Sequence, residues 1–494
     1  MKTPKALISL ILCATMLAPV LVSCGKESGK SNETNEPDVV YETESSVPQD
    51  LRFEGEKFTI LCREDNLYGN FLHEIEADES ETDLVNQAVY ERNLQVEEQF
   101  GIDLIAHDIP GAWAQESDFT NTFTNSILSG SGSFDLIMGY QAYMAEDGGY
   151  HELYVNYYDV PYIKDDLDNE YFYQYFLDEI TVNDKLFYIV GDYSLTLWEY
   201  MYVMYFNKDI VENENIEDIY QLVRDGKWTI DKCIELSKGI FRDLDGNGWA
   251  GQEDRFGFIT DYENTADALL AQFDLYGGER DENGDIVLNI DQGKIVSVLE
   301  KMIDFYETDD VFTFKTDSGM TEDQIPLNDI FTEGRALFLP DRLEKAQRYR
   351  SMETDFGIVP HPKWDENQEN YLTQSWNAYS VAVIPMDARN LEMSGAVLDI
   401  LSELSYKKVI PAYYDMALKG KYARDDESGE MLDIIRESIS VTFDGFFDVG
   451  IGDTMRILLN QKNTNYVSFY AANRKNYERK IKQIVKTFET HGNE

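Results

Sequence analysis

Basic residues are the first scarcity. Lysine and arginine number 42 against 93 aspartates and glutamates, a formal net charge of −51. No basic face is easily assembled from that balance. Nucleic acid and anionic membrane surfaces are therefore poor partners, and neutral solutes or cations better ones. Catalytic signatures are missing too. The histidines (His73, His107, His151, His361 and His491) are scattered and form no HExxH pattern. Neither a GxSxG elbow nor a GxxxxGKS or GxxxxGKT phosphate loop occurs. Paired carboxylates could cleave a glycosidic bond, but with 93 acids in 494 residues such pairs arise by chance and carry no weight. Cysteine is limited to 4 residues. Cys13 and Cys24 lie near the N-terminus. Cys62 and Cys233 are far apart, one at the end of a strand-like run and one in a helix-like run, and are expected as buried free thiols rather than a bridge. After residue 22 no apolar run is long enough to span a bilayer, so the body is expected to be soluble.

Apolar residues are not lacking. They make up 43% of the chain and aromatics 13%, which excludes a mainly disordered protein. At 494 residues the chain outgrows a single core, so two or three domains or lobes are expected.

The N-terminus reads as an address. Lys2 and Lys5 precede an apolar run from Ala6 to Val22, and Leu21-Val22-Ser23-Cys24 follows as a bacterial lipobox. Cleavage before Cys24 would leave that cysteine lipidated, on the outer side of the cell membrane. An uncleaved span is the other reading, but the run is short and Pro19 interrupts it. Residues 1–23 are thus a signal peptide. Their loss removes two lysines and no acids, so the mature charge is −51 − 2, about −53. Residues 24–50, rich in Ser, Glu, Asn and Pro, read as a flexible spacer.

Beyond the spacer, KFTILC (57–62), IDLIAHD (102–108) and FDLIMG (134–139) have strand character. Helix-like stretches separate them. In 81–100, Leu84, Ala88, Leu94 and Val96 mark the apolar positions, and 121–130 ends in glycine. Strand, helix, strand, helix, strand predicts parallel βαβ units in an α/β sheet. Ligands bind past the carboxyl ends of such strands. Here those ends are Arg63-Glu64, Pro110-Gly111-Ala112-Trp113 and Gly139-Tyr140-Gln141, which should line one cleft. Further strands are expected over 184–194, 200–207, 335–339, 356–363 and 378–385. Helices are expected over 227–241 (with Thr229 as N-cap), 391–409 and 468–490. No internal repeat is present.

In order along the chain, FDLIMG, NDKLFYIVGDYSLTLWEYMYVMYFNKDIV, DGKWTIDKCIELSKGI with DLDGNG, FTEGRALFL, FGIVPHPK and YARDDESGEMLDII resemble the family 1 extracellular solute-binding proteins. The resemblance runs from about residue 55 to the C-terminus. It implies a two-lobed, periplasmic-binding-protein-like α/β fold of type II, its lobes joined by crossing hinge strands that close around a sugar. By that analogy the first lobe comprises 51–191 and 376–414, and the second 192–375 and 415–494. It also implies delivery of a carbohydrate to the permease subunits of an ABC importer, by a monomeric receptor.

Asp243-Leu244-Asp245-Gly246-Asn247-Gly248-Trp249 through Asp254 matches a calcium loop. It has oxygen side chains at positions 1, 3 and 5, glycine at 6, a backbone carbonyl at 7 (Trp249) and a carboxylate at 12. The last position is Asp rather than the longer Glu, and Glu253 could substitute. A polar turn without metal is the alternative, and the resemblance favours a structural calcium site. The glycines also fit GxGxxG, but no strand precedes them, so the dinucleotide reading fails.

Sugars are bound by aromatic faces and a few polar groups. The candidates are Trp113 and Tyr140 at first-lobe strand ends, Trp198 and Glu199 after the first crossing, Trp376 and Asn377 at the return, and Arg342 beyond a second-lobe strand. Trp228 and Trp249 are expected to be structural. The leading reading is a lipid-tethered sugar receptor. A carbohydrate-active enzyme (a glycosidase or lyase) and a receptor for peptides or another small solute are the alternatives. The acidic balance argues mildly against anionic sugars, unless Arg63 or Arg342 overrides it.

Overall fold

The computed structural model describes residues 44–490 apart from 65–73, 78, 81, 147–149, 276, 283–284, 316–319, 321–323 and 419–425. The expected signal segment, Cys13 and the expected lipid site Cys24 lie outside the described residues.

Two sheets organise the chain. In the first, β1 (Lys57–Glu64) lies between β2 (Asp103–Pro110) and β3 (Leu136–Tyr140), both parallel to it. The helices α1 (Leu84–Phe100) and α2 (Glu116–Ser129) make the crossovers. The Asp83 carboxylate caps α1 by accepting from Val85 N (2.9 Å), and Gly101 and Gly130 end the two helices in the left-handed conformation. The second sheet is built on β4 (Tyr202–Asn207) and β5 (Phe256–Asp261). A separate hairpin of β6 (Gly278–Arg280) and β7 (Ile286–Leu288) follows. Then β8 (Val311–Phe314), β9 (Ala336–Arg342) and β10 (Phe356–Val359) complete the second sheet in the order β10-β4-β9-β5-β8. The chain returns to the first sheet as β11 (Ser380–Val383), antiparallel to β3. The first sheet thus draws on residues 57–140 and 380–383, and the second on 202–359.

The outward and return passages run side by side. Met201 and Ser375 form an antiparallel bridge, Trp376 N donates to Tyr200 O (2.9 Å), and Tyr202 N donates to Gln374 O (3.0 Å). One buried carboxylate, Glu74, ties them further. Its Oε1 accepts from Ser194 Oγ (2.9 Å) and Thr196 N (3.3 Å), and its Oε2 from Ser380 Oγ (2.6 Å). A third passage is helical: Leu391–Leu404 packs on α1, then continues through a π-helical turn at Ser405–Val409 into Ile410–Leu418.

Four details differ from the sequence reading. In α1, Leu84 and Leu94 are 46% and 40% exposed, and the buried face is Val85, Val89, Arg92, Val96 and Phe100. The Arg92 guanidinium turns that face inward by donating to Ser405 Oγ (2.9 Å) and to the Glu74 carbonyl. The 184–194 stretch is buried from Leu186 onward but is not a strand. It makes only isolated bridges, such as Ile189 with Ala382, where the Ala382 N–H is shared between Ile189 O (3.2 Å) and the Tyr193 hydroxyl (2.7 Å). The spacer ends earlier than residue 50: Ser46 N donates to Asp166 Oδ2 (2.7 Å), and Ser45 Oγ donates to Asp399. The tail after 415 packs on the second sheet through the Asp426–Glu437 helix, but Phe446 and Phe488 also lie against Tyr188 and Phe187 (5.5 and 5.0 Å). Cys62 and Cys233 are buried free thiols.

Candidate functional site

The carboxyl ends of β1, β2 and β3 converge. Arg63, at the end of β1, lays its guanidinium over the Tyr140 ring at 5.1 Å and donates to Ala378 O (2.8 Å) and Ser380 Oγ (2.9 Å) on the return passage. It can cross there because residue 111 is glycine: a Cβ would meet the Arg63 Cγ at 2.6 Å. Trp113, in the short 3-10 turn after β2, stands edge-on to Tyr140 at 6.2 Å and is 55% exposed. The three strand ends predicted to share a cleft therefore do meet, with one open aromatic face among them.

The second sheet supplies the facing group. Arg342, the last residue of β9, places its guanidinium over Trp376 at 4.7 Å and over Tyr200 at 5.8 Å. Tyr200 and Trp376 are themselves edge to face at 5.3 Å. Arg342 pairs with Glu344 (3.1 Å), and Lys345 Nζ lies 3.5 Å from the same carboxylate. Asp341 Oδ1 lies 4.0 Å from Arg342 Nε, and its Oδ2 accepts from the Tyr349 hydroxyl (3.4 Å). Burial first, then Glu344 and Glu199, hold the Tyr200 hydroxyl well above its usual range, while Arg63 and Arg342 oppose them. Arginines from both sheets thus act on one phenol at the passage between them.

The predicted contacts sort by exposure. Trp113 is open, Trp376 is half-buried, Tyr140 and Arg342 are buried beneath them at the two ends of this junction, and Asn377 is exposed in the turn before β11. Glu199 is buried below Tyr200. Trp198 is 0% exposed. Its indole N–H donates to Asp192 Oδ1 (3.0 Å) and the Tyr173 hydroxyl (3.1 Å), and its ring meets Tyr414 edge-on at 5.1 Å. It is packing beneath the junction and offers no face to a solute here. Tyr200, Glu344 and Lys345 were not singled out from sequence. Tyr200 follows Glu199 directly, and Glu344 and Lys345 follow Arg342, so their proximity in the chain was the available signal. Trp228 is buried and donates to Pro360 O (2.8 Å), but Trp249 is 79% exposed.

Two sizeable hollows lie elsewhere on the second lobe, about 430 Å³ beside Trp364 and Asp291 and about 560 Å³ beside Lys208 and Tyr220. Lys301 Nζ sits 4.1 Å above the Trp364 ring, so that aromatic face is already covered.

The 243–254 loop folds back on itself. Asp243 accepts from Gly246 N (2.7 Å) and Gly248 N (2.9 Å), and Asp254 from Leu244 N (2.8 Å) and Gly251 N (2.9 Å). The Gly248 N–H above all holds the Asp243 carboxyl below its usual range. Asp243, Asp245 and Asp254 bring ligand oxygens within 4.8 Å of one another. That donor set suits a hard, oxygen-seeking cation. Asp254 itself, not Glu253, joins the cluster.

No family model matches this chain, and no curated protein sequence does. Solved structures do. A cyclo/maltodextrin-binding protein complexed with maltotetraose matches with a TM-score of 0.52 at 11% identity, over 89% of this chain and 99% of that one. An uncharacterised protein of Listeria monocytogenes reaches 0.55 at 12% identity, over 86% of this chain and 100% of that one. The fold is that of the two-lobed, periplasmic-binding-protein-like solute-binding proteins.

Proposed function

We propose that this chain is an extracellular, lipid-anchored receptor that captures a sugar or oligosaccharide between its lobes and passes it unchanged to an ABC importer. The observation that carries the reading is the junction itself. An exposed tryptophan and stacked Arg63–Tyr140 end one sheet, and stacked Arg342–Trp376–Tyr200 end the other. The open ring of Trp113 suits the C–H face of a pyranose, while Tyr140 and Trp376 each carry an arginine over one face, and those fixed guanidinium groups with Glu344 suit hydroxyls. The maltotetraose-bound neighbour supports the same ligand class.

Binding then works by closure. A solute that touches both sheets only when they approach has a higher affinity for the closed state and shifts the population towards it. Glu344 at 3.1 Å and Asp341 at 4.0 Å from the Arg342 guanidinium leave little of its charge uncompensated, which favours neutral sugars. In this reading Asp243, Asp245, Asn247, the Trp249 carbonyl and Asp254 hold Ca²⁺, which would neutralise a cluster of acids and brace the loop.

The test is a thermal-shift and calorimetric screen against neutral and acidic oligosaccharides, with product analysis of the same mixtures. A neutral oligosaccharide should raise the melting temperature by a few degrees and be recovered intact. Cleaved glycan would instead indicate an enzyme. Stabilisation by peptides alone would indicate a different receptor.

A further inference from the structure

The described structure does assemble a basic face. The C-terminal helix, Tyr466–Thr490, carries six bases (Arg474, Lys475, Arg479, Lys480, Lys482, Lys486) against two acids (Glu478, Glu489), in a chain whose net charge is −51. Their register matters more than their number. Lys475, Arg479, Lys482 and Lys486 recur at i, i+4, i+7 and i+11, which puts them on one stripe roughly 16 Å long. All of them are exposed. Tyr477, Ile481, Ile484 and Phe488 each follow one of them by two residues and are buried, about 200° round the helix. The helix therefore turns its apolar side to the protein and a net cationic side outward, with Glu478 and Glu489 bordering the stripe. Lys480 is off the stripe and donates to Asp448 O (2.7 Å), and Arg474 pairs with Glu478 (2.8 Å).

We propose that this stripe docks the protein on an anionic lipid surface. Charge complementarity is the argument, and it is directional. At physiological salt a charge acts over about 8 Å, so the many acids elsewhere do not cancel a stripe pressed against headgroup phosphates, yet they repel every other approach. A straight row of cations meets a flat field of phosphates along its whole length. A second copy of this chain would instead bring a further −51 towards it. The stripe does not depend on the receptor reading above. A lipid on Cys24 would only raise the local concentration of bilayer.

Flotation of the full chain carrying Cys24→Ser on phosphatidylcholine vesicles, with and without phosphatidylglycerol, tests this without an acyl group. Each cation near an anionic surface is worth about fivefold in binding. Phosphatidylglycerol should therefore raise binding at least about tenfold, high salt should abolish the gain, and K475Q/R479Q/K482Q/K486Q should lose it. The charge-preserving K475R/K482R/K486R should keep it, which separates docking from damage to the helix. Equal binding to both vesicle types, or an unchanged gain in the glutamine variant, overturns the proposal. So does a change only in sedimentation, which would assign the stripe to pairing between copies.

Discussion

At the residue scale the tryptophans divide by what surrounds them. Trp113→Ala should weaken sugar binding by about tenfold or more and leave the melting temperature nearly unchanged, whereas Trp376→Ala should weaken binding and also lower the melting temperature, because Tyr200 and Arg342 lose the ring they pack on, as calorimetry on folded variants would show. Trp198→Ala should cost about 3–5 kcal/mol in urea titration, because it empties a closed site and strands Asp192 and Tyr173. Strand register made Trp113 and Tyr140 legible, since a side chain at the carboxyl end of a parallel strand has few places to go. Nothing local separates Trp198 from Trp376. The burial of Trp198 is decided by Asp192, Tyr173 and Tyr414, and the last of these is more than two hundred residues away. A second single group has a pH signature. Burial, with Asp166 and Glu403 adding and Ser45 and Tyr171 opposing, pushes the Asp399 carboxyl up to about 8. The folded chain then keeps a proton that the unfolded chain releases above about pH 4. Its stabilisation is complete below that pH and is lost as pH rises towards about 8. Asp399→Asn should therefore flatten the stability profile over that range, and at its upper end should melt higher than the parent.

At the element scale, periodicity found helices and strands but not always their inward faces. In α1 the visible leucines point outward, because a buried arginine reaching Ser405 sets the rotation, and no window of sequence holds both residues. The C-terminal helix is the converse case: its cationic and apolar rows are plain in sequence, but whole-chain composition hid them. The 243–254 loop shows local legibility at its best, since all its side-chain oxygens lie within twelve residues. Asp254→Ala removes a buried carboxylate that receives two backbone N–H groups, so it should lower the melting temperature even in chelator. In added calcium the gap between parent and variant should widen, and Trp249 emission should respond to calcium in the parent alone. An equal gap with and without calcium would mean a polar turn.

At the scale of the whole molecule, the division of strands between two sheets followed from the order of segments, but the tail did not. Phe446 and Phe488 pack against residues of the 184–194 stretch as well as serving the second lobe, a pairing that only the assembled fold reveals. Glu74 is the other long-range surprise, one carboxylate gripping both neighbouring passages. In the receptor reading, a bound oligosaccharide should shrink the radius of gyration in small-angle scattering. Glu74→Ala should loosen the unliganded ensemble and cost about 1–3 kcal/mol, because the hydroxyls of Ser194 and Ser380 lose their acceptor. The two native thiols bear on how such motion can be watched. Cys62 is buried in β1 and Cys233 in the Ile230–Ser237 helix, and burial pushes both well up from the usual thiol range. Maleimide dyes should bypass both, so in a chain whose Cys13 and Cys24 are replaced by serine, a fluorophore pair on cysteines introduced at the surface positions Leu128 and Leu244 would report single-molecule distances across the body with Cys62 and Cys233 left in place.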